Sequence, residues 1–188
     1  MSPAIFLDRD GTLIEWVHYL RDPARVRLVP HAARALSELR ALGYRLVLVT
    51  NQAALGKGLL TSSELHDVHR RLEALLAAEG VSLDAWYFCP HVAKGSDRLA
   101  IEHPDRKPGP GMLFRAAREH GLALARSIMV GDALSDTLAG RNAGCAATVL
   151  VRSGLGTRSD EQHPSVDYAV PGLADVPRVV ARYLAISP

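Results

Sequence analysis

The sequence alternates short apolar runs with longer segments of helical periodicity, and this alternation strongly constrains the fold. Each run is a few aliphatic or β-branched residues long, which is typical of buried strands. The predicted strands are residues 4–7, 46–49, 86–88, 128–130 and 148–151, with a short edge strand at 168–170. Strands that alternate with helices favour right-handed βαβ units. The sequence therefore predicts an α/β fold with a three-layer, Rossmann-like parallel sheet.

Apolar spacing and capping residues mark the helices. Residues 30–42 carry alanines and leucines at helical spacing and stop at Gly43, a residue type that commonly ends helices. Thr61 and Glu64 have the spacing of a capping box, which predicts a helix from there to about residue 79. Further helices are predicted at 112–120, 135–143 and 174–184. We expect one domain over residues 1–188, with an irregular loop at about 90–110.

Composition narrows the functional classes. The chain has 188 residues, with 22 Lys and Arg against 20 Asp and Glu, so its formal net charge of +2 gives no reason to expect binding to nucleic acid or a membrane surface. Its 2 cysteines exclude a disulfide scaffold and fit a reducing compartment. No apolar run approaches the ~18 residues of a membrane span, and the first residues lack the features of a signal peptide. We expect a cytoplasmic monomer.

Charged and hydroxyl side chains follow the predicted strands, at the edge of the sheet where ligands bind in such folds. The segments that follow strands are Asp8-Arg9-Asp10-Gly11-Thr12, Thr50-Asn51-Gln52, and Gly131-Asp132 with Asp136. The loop before the predicted helix at 112–120 adds Arg106-Lys107. Several carboxylates at one rim repel one another unless a cation lies among them, and oxygen ligands suit Mg²⁺. A carboxylate that attacks phosphorus also needs positive charge to offset the repulsion between anions. The residue types therefore predict phosphoryl transfer through an aspartyl-phosphate on a small phosphorylated substrate.

Some of these features also have explanations that involve no catalytic site. Asp-x-Asp-Gly also occurs in EF-hand loops, but those loops lie between helices and need Gly at the sixth position. Here Gly11 is the fourth residue and the motif follows a strand. Asp136 either lies near the metal or only complements the dipole of the helix that it opens. His66 and His69 have helical spacing, which we interpret as a solvated helix face rather than a metal pair.

Together these segments resemble the four motifs of the haloacid dehalogenase superfamily. More narrowly, Cys89-Pro90-His91 and the runs at 106–112 and 149–154 resemble the capless D-glycero-D-manno-heptose 1,7-bisphosphate phosphatases. The resemblance extends from residue 4 to about residue 155. It implies a capless haloacid dehalogenase-type fold and a phosphatase whose first candidate substrate is D-glycero-D-manno-heptose 1,7-bisphosphate.

The resemblance also implies a role for each motif residue. Asp8 would be the nucleophile, and Asp10 the general acid and later the base that activates water. Mg²⁺ would be bound by the side chains of Asp8 and Asp132 and the carbonyl of Asp10, with Asp136 nearby. The transferring phosphoryl group would be held by Thr50, Arg106 and Lys107. The substrate-contact positions are Trp16, Val17, His18, Tyr19, Asn51, Gln52 and Ala53.

The chain departs from the resembled family in its zinc loop. The family has Cys-x-His and then Cys-x-Cys directly before Arg-Lys-Pro, whereas this chain has Cys89-Pro90-His91 and His103-Pro104-Asp105. Cys89, His91, His103 and Asp105 can all ligate Zn²⁺ in a tetrahedral site. Alternatively, Cys89 is a small buried residue at a strand end and His91 is a substrate contact. In either case we expect the loop to set where Arg106 and Lys107 point.

Substitutions near the substrate positions leave the substrate open. Ala133 stands where the resembled family has a substrate-contacting lysine, and Ala53-Ala54 replace Ser-Gly. Histidinol phosphate is the alternative substrate, because residues 10–15 also resemble histidinol-phosphate phosphatases. A non-catalytic binding protein on the same fold is the alternative from another class. Candidate cations for a second substrate phosphate are Arg21, Lys57 and Arg152.

Overall fold

A six-stranded parallel sheet forms the centre of the computed structural model, which describes residues 1–97, 99–155, 158 and 160–186. The strands are β1 (Ala4–Leu7), β2 (Arg45–Asn51), β3 (Ala85–Cys89), β4 (Ile128–Gly131), β5 (Ala147–Val151) and β6 (Tyr168–Val170). Their order across the sheet is β3-β2-β1-β4-β5-β6, and every neighbouring pair is parallel. The predicted parallel sheet is confirmed, with each predicted strand present and four of them longer than predicted by one to three residues.

Helices connect the strands. They are α1 (Ala32–Ala41), α2 (Ala53–Gly56), α3 (Ser62–Ala78), α4 (Gly111–His120), α5 (Leu134–Ala143) and α6 (Val176–Ile186). Thr61 caps α3, and both hydrogen bonds of the predicted capping box are present. The short α2 was not predicted, because a helix of one turn is too short to show periodicity. Every helix in the described ranges is too short or too polar to cross a lipid bilayer.

Both faces of the sheet are covered, which explains why its central strands read as unbroken apolar runs. In β1 the side chains of Ile5 and Leu7 join one buried cluster, which includes residues of α1, α3 and α6. Ala4 and Phe6, which alternate with them, join the cluster on the opposite face of the sheet, with residues of α4 and α5. Period-two alternation therefore buries every residue of β1, and the two helical layers hold the sheet between them.

The interpretation of His66 and His69 as a solvated pair is wrong for His69. Its side chain is 4% exposed and stacks on Trp86 of β3, with ring centroids 3.7 Å apart. Its position four residues after Leu65 and three before Leu72 places it on the apolar stripe of α3, which packs over this edge strand. His66 is exposed, as expected.

The described residues of the predicted irregular loop, 90–97 and 99–110, contain no helix or strand. The loop is held by contacts of its own. The Glu102 carboxylate accepts hydrogen bonds from the backbone N–H groups of Lys94 (2.6 Å) and Gly95 (2.8 Å). The Arg106 guanidinium donates to the His91 carbonyl at 3.0 Å. The two arms of the loop are therefore tied together just before the chain enters α4.

Candidate active site

The side chains that follow β1, β2 and β4 converge on one cleft at the carboxyl edge of the sheet. The cleft has a volume of about 230 Å³. It is placed by the sheet itself, because the Asp8 N–H continues the β1–β4 pairing by donating to the Val130 carbonyl at 2.9 Å. Of the residues predicted to carry the chemistry, the cleft is lined by Asp8, Asp10, Thr50, Lys107, Asp132 and Asp136.

Lys107 is the centre of the polar network in the cleft. Its side chain is 1% exposed, yet its ammonium group has three close partners. Nζ lies 2.6 Å from Asp8 Oδ1 and 2.7 Å from Asp136 Oδ1, and it donates to the Val49 carbonyl at 2.8 Å. An ammonium group has three protons to donate, so this arrangement satisfies all of them.

Asn51 holds the backbone of Lys107. Its amide Nδ2 donates to the Lys107 carbonyl at 3.0 Å, and its Oδ1 accepts the Lys107 N–H at 3.0 Å. The sequence predicted Asn51 only as a substrate contact. Its partner is a backbone group 56 residues away, which no residue pattern reveals. The last residue of β2 therefore fixes the segment that carries the buried lysine.

Three carboxylates form a candidate metal centre beside Lys107. Oxygens of Asp8, Asp132 and Asp136 lie within 4.8 Å of one another, and no other cluster of this kind occurs in the described ranges. Gly131 permits this approach, since a Cβ at that position would collide with the Asp136 carboxylate. Such hard oxygen donors suit Mg²⁺. Asp136 Oδ2 also accepts the Ala133 N–H at the start of α5, at 3.0 Å.

Burial and mutual repulsion raise the pKa values of two of these carboxyl groups. Burial raises the pKa of Asp8 to about 7; the Lys107 charge opposes this shift, and the charges of Asp136 and Asp10 add to it. Burial, followed by the charges of Asp8 and Asp136, raises the pKa of Asp132 to about 8. Burial acts to lower the pKa of Lys107, but its two carboxylate partners outweigh it and raise that pKa. The lysine is therefore charged, and the carboxylates compete for protons.

Formal charge also favours a divalent cation. Four carboxylates line the cleft against two cationic side chains: Asp8, Asp10, Asp132 and Asp136 against Arg9 and Lys107. With all groups ionised, the four negative and two positive charges leave a net charge of −2 in a largely buried site. One divalent cation would balance that charge, which is the condition under which all four carboxylates can be ionised together.

Asp10 is held apart from the Lys107 cluster. The Arg9 guanidinium donates to both of its carboxylate oxygens, and Gln52 Nε2 donates to Asp10 Oδ2 at 2.9 Å. The same Gln52 nitrogen donates to Thr50 Oγ1 at 2.9 Å. The sequence predicted Gln52 as a substrate contact and did not predict this link. Two carboxylates from one short motif thus have different partners.

An aromatic wall borders the cleft. The rings of His18 and Tyr19 have centroids 3.9 Å apart, and that of Trp16 lies 5.8 Å from His18. Tyr19 has a backbone φ of +47°, an uncommon conformation for a non-glycine residue, which orients this wall. All of the predicted substrate-contact positions border the cleft: Trp16, Val17, His18, Tyr19, Asn51, Gln52 and Ala53.

Arg106 was predicted to hold the phosphoryl group, but the structure does not place it in the cleft lining. Its guanidinium instead donates to the His91 carbonyl in the irregular loop. Lys107, the next residue, has its side chain buried between Asp8 and Asp136. Arg106 therefore fixes the loop, and Lys107 alone of the pair reaches the site.

The four zinc candidates border a second cavity of about 360 Å³ but do not form a tetrahedral cluster. Cys89 Sγ and His103 Nδ1 are 4.0 Å apart, and the rings of His91 and His103 stack with centroids 4.7 Å apart. However, His103 Nδ1 accepts the Asp105 N–H at 3.1 Å, and the Asp105 carboxylate pairs with Arg115 at 3.3 Å. Two of the four candidate ligands are therefore engaged by protein groups.

Known proteins that are similar to this chain in sequence and structure include phosphatases. Residues 105–176 match the HAD-hydrolase-like family. The chain is 37% identical to the D-glycero-beta-D-manno-heptose-1,7-bisphosphate 7-phosphatase of Pasteurella multocida over 96% of this chain and 97% of that protein. It is 38% identical to the corresponding phosphatase of Thermosynechococcus vestitus over 97% of each chain. The crystal structure of the D,D-heptose 1,7-bisphosphate phosphatase of B. bronchiseptica, complexed with magnesium and phosphate, superposes with a TM-score of 0.83 at 32% identity, covering 97% of this chain and 99% of that one.

The raised pKa values predict that binding of Mg²⁺ releases protons. Without the cation, Asp8 and Asp132 hold protons below about pH 7 and pH 8, and a bound cation favours their ionised forms. Affinity should therefore rise with pH through this range. Calorimetric titration in buffers of different ionisation enthalpy should show more than about one proton released per ion at about pH 6.5 and almost none at about pH 9.5.

The variant Asp8→Asn provides the control for this titration, because it removes one of the two protonated groups. It should release about one proton fewer at about pH 6.5. Binding that releases no protons at that pH in the wild-type chain would contradict the assignment of the cation to these carboxylates.

Proposed function

The chain belongs to the haloacid-dehalogenase-like family of hydrolases, and we propose that it is a Mg²⁺-dependent phosphatase acting on D-glycero-D-manno-heptose 1,7-bisphosphate. The observation that carries this proposal is the buried contact of Lys107 with Asp8, beside a cluster of carboxylates. It joins a nucleophile, a fixed positive charge and a cation site in one cleft. The substrate is supported by the names of the relatives.

In the first step, an Asp8 carboxylate oxygen attacks phosphorus as the bond from phosphorus to the sugar oxygen breaks. The leaving oxygen takes a proton from the Asp10 carboxyl group, so the products are the alcohol and an aspartyl-phosphate on Asp8. Lys107 Nζ, 2.6 Å from Asp8 Oδ1, offsets the repulsion between the incoming phosphate and the carboxylate. Thr50 lies in the same lining and offers a hydroxyl to the phosphoryl oxygens.

In the second step, a water oxygen attacks the same phosphorus and gives its proton to the Asp10 carboxylate. The bond from phosphorus to Asp8 breaks, which frees inorganic phosphate and restores both carboxyl groups to their starting forms. Asp10 therefore acts first as an acid and then as a base. It lies two residues from the nucleophile, with 22% of its side chain exposed, so it is accessible to water.

The donor set fits Mg²⁺. The side chains of Asp8 and Asp132 and the carbonyl of Asp10 would hold the ion, while Asp136 is engaged by Lys107 and the Ala133 N–H. When bound, the ion supplies positive charge to the oxygens of the transferring phosphoryl group. Asp136 would then act beside the ion by holding the lysine.

A second substrate phosphate needs a cation near the aromatic wall, and Lys57 is our candidate. Its Nζ donates to the Tyr19 hydroxyl at 2.9 Å and lies 5.4 Å from the centre of that ring. Arg152, by contrast, is paired with Glu161 at 2.6 Å. The wall and Lys57 together would receive the sugar and its remaining phosphate, which favours a bisphosphate over histidinol phosphate.

We also propose the domain extent, the metabolic role and the location of the enzyme. Residues as far apart in sequence as Asp8 and Leu155 line one cleft, and we infer from this a single catalytic domain over residues 1–188. A sugar phosphate substrate would place the enzyme in carbohydrate metabolism, and we expect it in the cytoplasm.

Substitutions of the two aspartates of the first motif, Asp8 and Asp10, should impair different steps of the reaction. Asp8→Asn should lower turnover below about 1% of wild type, because an amide does not attack phosphorus, and should form no phosphoenzyme. Asp10→Asn should form the phosphoenzyme and hydrolyse it slowly, since no carboxylate then takes the proton of water. Acid-quenched samples, with phosphate label retained on protein, separate these outcomes.

Asp67→Asn, on the exposed side of α3, is the matched control and should keep wild-type turnover. Wild-type kcat in Asp10→Asn would remove the acid–base role. Phosphoenzyme in Asp8→Asn would assign the nucleophile to another residue.

The substrate is tested by comparing D-glycero-D-manno-heptose 1,7-bisphosphate with histidinol phosphate. We expect kcat/KM to be at least about tenfold higher for the bisphosphate, a difference of about 1.4 kcal/mol in transition-state stabilisation. Lys57→Met should reduce this ratio, because it removes the cation proposed for the second phosphate. The reverse ranking would favour the histidinol-phosphate alternative, and no turnover of any phosphate ester would favour the non-catalytic one.

We propose that the irregular loop is held by protein contacts rather than by Zn²⁺. Protein purified without added zinc should then contain well under about one zinc per chain by elemental analysis, and Cys89→Ala should keep wild-type activity. The reason is that His103 and Asp105 already have protein partners. A ratio close to one zinc per chain that is lost in Cys89→Ala would restore the zinc site.

A further inference from the structure

Arg9 is a buried cation beside Asp10 that the two proposed steps leave without a role. Its side chain is 2% exposed, and its guanidinium forms a fork on the Asp10 carboxylate. Nε donates to Oδ2 at 3.1 Å, and Nη2 donates to Oδ1 at 3.0 Å and to Oδ2 at 2.8 Å. The residue between the proposed nucleophile and the proposed acid–base group is therefore bound to one of them.

Arg9 is poorly compensated for a buried charge. Asp10 is its ion-pair partner among the described residues, and its Nη1 is buried without a hydrogen bond there. Burial, then the charge of Arg9, lowers the pKa of the nearby His69 to about 4, so that ring is neutral and adds no second positive charge beside Arg9. Buried ion pairs of this kind contribute little net stability. The placement of Arg9 is better explained by what it does to Asp10.

The fork fixes the orientation of the Asp10 carboxylate. The Arg9 backbone is itself fixed, because its carbonyl accepts the N–H groups of both Leu13 and Ile14 at 3.0 Å. Asp10 Oδ2 accepts from Arg9 and Gln52, whereas Oδ1 accepts from Arg9 Nη2 alone among the described residues. A carboxylate oxygen has two acceptor positions, so Oδ1 keeps one open for a proton.

We propose that Arg9 is a positioning residue, whose buried guanidinium holds Asp10 so that Oδ1 gives and takes the proton in the two steps. This inference rests on the proposed function. Arg9 touches neither phosphate nor water in it and acts only through Asp10. The planar guanidinium contacts both carboxylate oxygens in fixed geometry, which the single ammonium of a lysine does not do.

A double-mutant cycle between Arg9 and Asp10 tests this role, with the phosphate ester that the wild-type chain hydrolyses best as substrate. Arg9→Met should lower kcat about 10- to 100-fold and change KM less than about threefold, because the loss lies in proton transfer. Phosphoenzyme should accumulate in Arg9→Met, as in Asp10→Asn. In the Asp10→Asn background, Arg9→Met should change kcat less than about twofold, because the group it positions is already absent. Arg9→Lys should recover part of the loss.

Arg40→Met is the matched control. Arg40 forms a 2.9 Å ion pair with Asp84 away from the cleft, so its removal should leave kcat unchanged. Circular dichroism and thermal unfolding establish that each variant is folded, and Arg9→Lys carries the test if Arg9→Met does not fold. Wild-type kcat in a folded Arg9 variant, or losses that multiply in the double variant, would overturn the positioning role alone. An inactive wild-type chain would overturn the proposed function and this inference together.

Discussion

The structure of this site depends on one buried ammonium group. Lys107 Nζ lies within 2.6 to 2.8 Å of Asp8, Asp136 and the Val49 carbonyl, and so joins the ends of β1 and β2 to the start of α5. Each contact compensates the others: the carboxylates keep the lysine charged, and the lysine lowers the repulsion between them. Without it, two buried carboxylates would face each other uncompensated. A single side chain thus holds together residues that are far apart in the sequence.

That contact is possible only because the backbone around it is fixed. Asn51 binds both backbone polar groups of Lys107, and the irregular loop before it is closed by Arg106 and Glu102. The loop residues that precede Lys107 therefore set the origin of the lysine side chain. This explains how a long segment without helix or strand belongs to a site that needs positions accurate to a fraction of an ångström.

The sequence predicted the parts of this structure that follow from periodicity and topology. Apolar runs and capping residues located the strands and helices, and parallel strands bring their carboxyl ends to one edge, so Asp8, Thr50 and Asp132 were expected together. Contacts to backbone groups were not predictable, because a pattern of side chains does not identify them; Asn51 is the clearest case. Nor does the order Arg106-Lys107 say which of two adjacent cations enters the cleft. His69 was misjudged because its polarity concealed its place on the apolar stripe of α3.

The two aspartates of the first motif show how environment, rather than residue type, divides the chemistry. Asp8, the proposed nucleophile, is buried beside an ammonium group and other carboxylates, where a bound divalent cation and Lys107 would together favour its ionised form. Asp10 is more exposed and has a guanidinium fork and an amide as partners, so it keeps contact with water and an open acceptor position. In the proposed mechanism, the bond between Asp8 and phosphorus must be shielded from water until the second step. The acid–base group, by contrast, must contact water. Placing Lys107 on one aspartate and Arg9 on the other satisfies both needs within three residues of chain.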